Sequence, residues 1–300
     1  MPATSVLFAL GAAMSFALAA VLQQESAQRA TRSESLHFHL LLVLLRQPRW
    51  VAGIVILVWG FGLQALALAN GPIALVQPIV ATELVFAIPL AIWRRHRRAQ
   101  IREWAGIFLV LAGVSVFLVM ASPENGISQP SLLEWLLVLV PVASVLCLVV
   151  IVAAAKHGPS RATLLGAAAG LSFALLAILT KSVAHQLAHS VGKAFASWQI
   201  YTLIALGISA LVLSQSAYQA GPLPLSMPSI ALVEPVVAVV VGDTLFHEQA
   251  NLAGGALALE ALAALAALAG LLLLATSPTV LSIYEQAAVE AGDGPRQRHL

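Results

Sequence analysis

The sequence predicts an all-α membrane protein with nine transmembrane helices. Of its 300 residues, 60% are hydrophobic and only 9% are charged, whereas a soluble domain carries about 25% charged residues. Such a composition cannot cover a solvated surface. Nine segments are long and apolar enough to span a bilayer, which takes about 20 residues of helix. A third observation is an internal repeat, which organises these segments into two matching halves.

The nine predicted spans are residues 3–22, 50–69, 72–93, 104–121, 132–155, 162–182, 197–219, 222–246 and 252–275. The first lacks a preceding basic stretch and a cleavage site, so we expect a permanent helix rather than a signal peptide. The apolar stretch 36–45 has only ten residues, which favours an interfacial or amphipathic segment. The polar tail after Pro278 is expected to be helical at first and then frayed.

Lysine and arginine predict the orientation, because loops on the cytoplasmic side are enriched in both. With nine spans, 13 of the 15 basic residues fall on one side of the membrane. The other side holds only Lys181 and Lys193. The N-terminus is therefore predicted to lie outside and the C-terminus inside. The 13 are Arg29, Arg32, Arg46, Arg49, Arg94, Arg95, Arg97, Arg98, Arg102, Lys156, Arg161, Arg296 and Arg298.

The chain repeats itself in sequence order. Residues Leu10–Leu18 match Leu165–Leu175, and the pair Gly71-Pro72 matches Gly221-Pro222, each pair being followed by a proline six residues after its own proline. The first four spans thus correspond to the last four, and the fifth is a connector. A single connecting span forces opposite orientations, which gives the inverted 4+1+4 repeat found in many secondary transporters. The predicted units are 1–121, 122–160 and 161–276, followed by a cytoplasmic tail at 277–300.

Three glutamates, Glu83, Glu234 and Glu260, fall within predicted spans. A charged side chain at the bilayer centre costs about 2.5–3.5 kcal/mol on insertion scales, so such residues usually face a partner or a water-filled path. Prolines accompany the first two, and the backbone groups that a helix-interior proline frees must be satisfied by protein or cavity water. We expect Glu83 and Glu234 to line a central cavity. Glu260 lies in an Ala- and Gly-rich helix, where a cavity role and a packing role are equally compatible.

Two amides, Gln77 and Gln64, are the further candidates for substrate contact, because both lie in or near mid-membrane positions. The tryptophans at span ends predict an aromatic belt at the two membrane interfaces. These are Trp50, Trp93, Trp104, Trp135 and Trp198.

Several functions lack support in the sequence. The single cysteine, Cys147, can form neither an intrachain disulfide nor a metal cluster. The sequence has no nucleotide-binding loop, no Gly-x-Ser-x-Gly and no His-Glu-x-x-His, so neither ATP-driven transport nor hydrolase chemistry is indicated. We therefore predict no enzyme activity, no cofactor and no nucleic-acid partner, and the sequence leaves a metal site undefined.

The chain resembles the drug/metabolite transporter superfamily (EamA-like). The resemblance covers about residues 4–276 and rests on the repeat, the two Gly-Pro hairpins and the stretch Leu245–Gln249 before an Ala-rich helix. The nine-span layout with an outside N-terminus is most similar to the NIPA-type magnesium transporter branch. Three segments are also similar to that branch, namely Trp50–Gly53, Ala69–Pro72 and Ser122–Glu124. The sequence departs from that branch at Gln77 and Glu83, and in the arginine-rich loop 94–98.

Three functions follow as hypotheses. The first is a secondary transporter of a small polar or cationic solute, in which Glu83 and Glu234 bind the solute or a proton. Protonation would neutralise a carboxylate and shift the balance between inward- and outward-open states, which would couple transport to protons. The second, implied by the resemblance, is a magnesium or other divalent-cation pathway, for which Glu83, Glu234 and Glu260 should converge. The third is a non-transporting membrane scaffold.

The partners implied are a small-molecule or cation substrate and the lipid bilayer, and the sequence leaves a homodimer open. Arginine exceeds lysine and alanine and leucine are abundant, which indicates a GC-rich bacterial genome. The predicted location is the plasma membrane, as a multi-pass protein.

Overall fold

The computed structural model describes residues 3–27, 44–94, 99–121, 126–127, 129–220, 223–248 and 256–278, and within these ranges all regular structure is helical. The predicted all-α class is confirmed. The helices are α1 (Ala3–Ala27), α2 (Pro48–Asn70), α3 (Ile73–Val80), α4 (Glu83–Arg94), α5 (Ile101–Ala121), α6 (Leu132–Ala154), α7 (Gly158–His189), α8 (Val191–Ala196), α9 (Trp198–Ala220), α10 (Leu223–Phe246) and α11 (Ala256–Ala275).

Eight helical stretches in the described residues are long and apolar enough to cross a membrane, with α3 and α4 counted together. The chain is therefore a multi-pass membrane protein. The apolar part of α11, Ala258–Leu274, is shorter, and residues 252–255, which the ninth predicted span includes, lie outside the described part. The count of nine spans and their orientation stay predictions. Most of the stretch 36–45 and the tail beyond residue 278 also lie outside the described residues.

The third predicted span, 72–93, is two helices rather than one. Pro78 lies inside α3 and cannot donate the hydrogen bond that would continue the helical pattern. The chain then tightens: the Thr82 N–H donates to the Ile79 carbonyl at 3.0 Å, and the Val85 N–H donates to the Thr82 carbonyl at 2.8 Å. The consequence is a new helix that begins at Glu83.

The sixth span is longer than the predicted 162–182. Helix α7 runs from Gly158 to His189, 32 residues in all. Polar residues after Lys181 suggested an end, but neither proline nor glycine follows until Gly192, so the helix continues. Ser190 follows its last residue, and the Ser190 side chain accepts a hydrogen bond from the Lys193 N–H at the start of α8.

Small residues bring several helices into close contact. A Cβ placed on Gly60 of α2 would lie 2.7 Å from the Phe16 ring of α1. A Cβ on Gly113 of α5 would lie 2.5 Å from the backbone nitrogen of Ala267 in α11. Extensive contacts also join α7 to α9 and α7 to α10. Small residues at helix contacts are the usual basis of close packing in membranes.

The helices meet at two opposite ends of the bundle. At the first, named the Glu248 end, α7 and α10 finish and α3 and α6 begin, around Glu248. At the other, the Arg102 end, Arg102 donates to the Thr276 hydroxyl at 2.7 Å, and Glu103 accepts a hydrogen bond from Ser277. These two contacts tie the beginning of α5 to the end of α11.

The predicted tryptophan belt is only partly correct. Trp93 and Trp104 are largely exposed, as interfacial residues should be. Trp50 and Trp135, in contrast, are 2% and 1% exposed. Trp135 packs edge-on against Trp198 and Phe246, with ring centroids 5.3 and 6.2 Å apart. Position at a span end therefore does not distinguish a belt tryptophan from one buried at a helix contact.

Candidate functional site

A cavity of about 70 Å³ lies between the two predicted repeats, and both Glu83 and Glu234 line it. The lining comes from α1, α2 and α4 on one side and from α7, α9 and α10 on the other. Both carboxylate side chains are partly rather than fully buried, as expected of residues that face a cavity. The other polar lining residues are Gln23, Ser214 and Tyr218.

The break between α3 and α4 positions Glu83. Because α4 begins at this residue, its carboxylate lies at a helix N-terminus, where unpaired N–H groups and the helix dipole favour negative charge. Glu234 is positioned differently. Helix α10 runs unbroken from Leu223 to Phe246 although Pro228 and Pro235 lie within it. Proline therefore accompanies an interruption of the chain before Glu83, whereas it leaves α10, the helix of Glu234, unbroken.

The repeated sequence brings equivalent residues to the cavity. Phe16 of α1 and Phe173 of α7 occupy matching places in the two repeats, and both line it. Each follows a serine whose hydroxyl donates to the carbonyl one turn earlier, at 2.8 Å for Ser15 and 2.9 Å for Ser172. Both rings contact Phe61 of α2, with centroid separations of 5.0 and 6.4 Å. Matching local structure thus supplies two of the aromatic walls.

A polar chain extends from the cavity towards the Arg102 end. The Gln215 amide donates to Gln23 Oε1 at 3.0 Å, and Trp50 Nε1 donates to Gln215 Oε1 at 3.4 Å. The Nε2 group of Gln23 is buried without a hydrogen-bond partner among the described residues. Sequence reasoning gave Gln23 no functional role. Its spacing could have indicated one, since Phe16, Ala20 and Gln23 lie on one face of α1.

Two of the predicted site residues, Gln77 and Gln64, do not line the cavity. Both are 1% exposed, in α3 and α2 respectively. The amide oxygen and nitrogen of Gln77 are buried without a hydrogen-bond partner in the described part of the chain. The prediction that these amides contact substrate therefore gains no support from their positions.

Glu260 also lies apart from the other two glutamates. It is 5% exposed and lies in α11. It shares a helix face with Ala263 and Ala267, which contact Gly113 of α5. Within the described residues, no three His, Cys, Asp or Glu side chains cluster as a metal site would require.

A second carboxylate centre, not predicted from the sequence, lies at the Glu248 end. Glu248 forms a buried ion pair with Lys181 of α7. Its two carboxylate oxygens also accept hydrogen bonds from the backbone N–H groups of Ile73 and Ala74, at 2.9 and 3.1 Å. One side chain thus caps α3 while binding a cation from α7. Lys181 lies 5.0 Å from the centroid of the Phe246 ring as well.

The reversal of the chain after α10 places Glu248. His247 adopts a left-handed conformation with φ of 52°, which is common just after a helix end but unusual for residues other than glycine. The Phe246 carbonyl accepts a hydrogen bond from the Ile127 N–H at 2.7 Å. His247 Nε2 lies 3.1 Å from Glu134 on the exposed surface. Together these contacts close the bundle at the Glu248 end.

Comparisons with known proteins identify a relative but not a function. The chain is similar to an uncharacterized protein of Corynebacterium glutamicum, with 29% identity over 249 residues that cover 82% of this chain and 85% of that protein. No family model matches the chain. No solved structure matches it either.

Proposed function

We propose that the protein is a secondary transporter of the drug/metabolite type, which moves a small polar or cationic solute across a bacterial plasma membrane by alternating access. One observation carries the proposal. Glu83 and Glu234, one from each predicted repeat, line the same cavity, and the described residues that line it include no lysine or arginine. A negatively charged site formed between two inverted repeats is what a midplane cation site requires.

The absence of a cation from the lining has a chemical consequence. A charged carboxylate inside the membrane region is costly unless a positive charge or a proton compensates it. Two neighbouring carboxylates repel each other in addition. Either a proton or a cationic solute would relieve both penalties, so the two ligands should compete for the site. Such competition is the simplest basis for exchanging protons against a cationic substrate.

The closed Glu248 end supports alternating access. Lys181 and Glu248 join α7, α10 and α3 there, whereas the cavity extends to Gln23 and Tyr218, near the last turns of α1 and α9. With the orientation that the basic residues predict, the closed end faces outside and the cavity lies towards the cytoplasm. Rocking of the two repeats about the cavity would open the Glu248 end and close the other.

A magnesium pathway is less well supported. Magnesium prefers six oxygen ligands in near-octahedral geometry and is usually held by carboxylates together with water. The third glutamate, Glu260, does not line the cavity, and the described residues contain no cluster of three metal-ligating side chains. A scaffold with no transport function would have little use for a cavity that holds two unpaired carboxylates.

The test uses the full chain in proteoliposomes loaded with methylammonium as a small cationic probe. An outward-directed methylammonium gradient should drive protons into the vesicles, and this proton uptake is measured. We expect Glu83→Gln and Glu234→Gln each to abolish exchange. The control is Glu260→Gln, which makes the same change outside the cavity and should retain exchange. Unchanged, pH-independent uptake in both cavity variants would contradict the proposal.

A further inference from the structure

A large apolar groove lies beside the acidic cavity. It has a volume of about 710 Å³ and runs between α2 and α9, with α7 as its floor. We name it the α2–α9 groove; Val58 and Leu66 of α2, Leu187 of α7 and Ile204 of α9 mark its extent. These four side chains are 64%, 47%, 41% and 54% exposed. In a membrane protein such exposure on apolar helix faces means contact with lipid, so the groove opens sideways towards the bilayer.

The groove and the cavity share four lining residues. Leu57 and Phe61 of α2, Phe173 of α7 and Leu211 of α9 border both spaces. The rings of Phe61 and Phe173 have centroids 6.4 Å apart. A shift of these side chains would therefore join the two spaces directly. One continuous site would then have a charged end at Glu83 and Glu234 and an apolar end that faces lipid.

The two volumes indicate how a ligand would divide between them. A cavity of about 70 Å³ holds roughly two water molecules at about 30 Å³ each. It is too small for a whole drug-sized molecule, whose sites usually measure about 300–1,000 Å³, and leaves room for a small head group alone. The groove falls within that range, yet among the described residues that line it Thr180 is the only polar side chain, and its hydroxyl already donates to the Leu176 carbonyl at 2.7 Å.

We infer that the substrate is an amphipathic organic cation that enters from the membrane, an inference that rests on the proposed function of the carboxylate site. Its ammonium group lies at Glu83 and Glu234, and its apolar part lies in the α2–α9 groove. The cavity has aromatic side chains beside its carboxylates, namely Phe16, Phe61, Phe173 and Tyr218. Aromatic faces attract quaternary ammonium groups through cation–π interactions, so both ends of the site match such a molecule.

Two glycines of the groove make the inference testable without disturbing the carboxylates. Gly62 and Gly207 line the groove. A Cβ on Gly62 would meet no atom within 4 Å, and one on Gly207 would lie 3.6 Å from the nearest Leu176 atom, an ordinary contact. Gly62→Leu and Gly207→Leu should therefore fill the groove without a clash. Ala143→Leu, on the exposed face of α6 and outside the groove, is the matched control.

The experiment measures equilibrium binding of tetramethylammonium and hexyltrimethylammonium to the full chain in nanodiscs. The two probes share a head group and differ only in the tail. Because each buried methylene contributes about fourfold in affinity, we expect the groove variants to lower the preference for the longer probe by about tenfold. Binding of tetramethylammonium should stay unchanged, and Ala143→Leu should behave as wild type. Partitioning of the longer probe into the lipid is the same for every variant and cancels.

Several results would overturn the inference. An unchanged preference for the longer probe in both groove variants would mean that lipid, rather than a substrate tail, fills the groove. Failure of wild-type protein to bind hexyltrimethylammonium would exclude this class of substrate. The double variant Glu83→Gln/Glu234→Gln separates the two proposals. If it still binds both probes, the proposed carboxylate site is wrong. If it loses both while the groove variants behave as wild type, only the inference about the tail is wrong.

Discussion

The Glu248 end and the central cavity use the same residue type in opposite ways. At the Glu248 end a carboxylate is buried against Lys181 and two backbone N–H groups, so its charge is compensated within the protein. Glu83 and Glu234 line one cavity, and no basic side chain is among the described residues that line it. Burial of a glutamate in a membrane helix therefore does not by itself indicate a binding site. We propose a binding site where the described lining offers the carboxylates no compensating cation.

The largest expected effect comes from breaking the compensated pair. Lys181→Met leaves the Glu248 carboxylate buried without its cation and should lower the free energy of unfolding by about 3–5 kcal/mol. Titration with denaturing detergent in mixed micelles would measure this loss. The double variant Lys181→Met/Glu248→Leu should lose less than the sum of the two single variants, because no uncompensated charge remains. Strict additivity would show that the two residues act independently.

A smaller effect is expected from the backbone that supports the pair. A Cβ on Gly126 would lie 1.8 Å from the Phe246 carbonyl oxygen, so the chain at the Glu248 end must shift to admit it. Gly126→Ala should therefore lower the free energy of unfolding by about 1–3 kcal/mol. Gly62→Ala, which adds a methyl group to open space beside the cavity, is the control and should retain wild-type stability. Equal stability of both variants would mean that the Glu248 end is not closely packed.

Removal of a cavity carboxylate should change the free energy of unfolding in the opposite direction. Glu83→Gln or Glu234→Gln removes one of two like charges and leaves the other with less repulsion. We expect the free energy of unfolding to stay constant or to rise by roughly 1 kcal/mol, while exchange is lost. The same unfolding titration measures it, with Lys181→Met as the contrasting case. A loss of stability comparable to that of Lys181→Met would assign the cavity glutamates a structural role.

The smallest effect concerns the exposed pair at the Glu248 end. Glu134 and His247 lie 3.1 Å apart at the surface, where the His247 side chain is 57% exposed and that of Glu134 is 34% exposed. Exposed ion pairs contribute little to stability. Glu134→Gln should accordingly leave the unfolding midpoint unchanged, because a glutamine can keep the hydrogen bond to the Ser131 N–H. A clear drop would show that even the surface of this end depends on charge.

The meeting of Glu83 and Glu234 in one cavity agrees with what the sequence predicts from its repeat. The predicted inverted repeat pairs two glutamate-bearing spans, and sites in transporters with such repeats lie at the repeat interface. The same logic explains why the matched residues Phe16 and Phe173 line one space. Local pattern and the predicted repeat were therefore sufficient to bring these residues to one cavity as candidates, and their role in binding stays a prediction.

Helix geometry explains why the other candidates lie elsewhere. Gln77 precedes Glu83 by six residues, which along a helix is about 600° of rotation and points to a different face even before the break at Ala81 and Thr82. Gln64 shares a face with Phe61 but lies a turn closer to the Glu248 end. Glu260 was predicted from hydropathy alone, which gives depth but not direction, and it packs on the face of α11 that contacts α5.

The ion pair at the Glu248 end could not be found from local sequence. Lys181 and Glu248 are 67 residues apart. In the sequence, Lys181 resembles a residue that sets membrane orientation, and Glu248 belongs to the stretch Leu245–Gln249. Their meeting depends on the left-handed turn at His247. A distant segment contacts that turn, because the Ile127 N–H donates to the Phe246 carbonyl.

The central claim is that the two cavity carboxylates hold either a proton or a cation. The most direct test is the dissociation constant of tetramethylammonium for the full chain in nanodiscs, measured across about pH 5 to 9. As pH falls, protons occupy the carboxylates and compete with the cation. For each proton that the cation must displace, the apparent Kd should rise by about tenfold per pH unit once the pH is below the pKa of the carboxylate. We predict this dependence in wild type and in Glu260→Gln, and loss of binding in Glu83→Gln/Glu234→Gln. A pH-independent Kd in wild type, or unchanged binding in the double variant, would contradict the account.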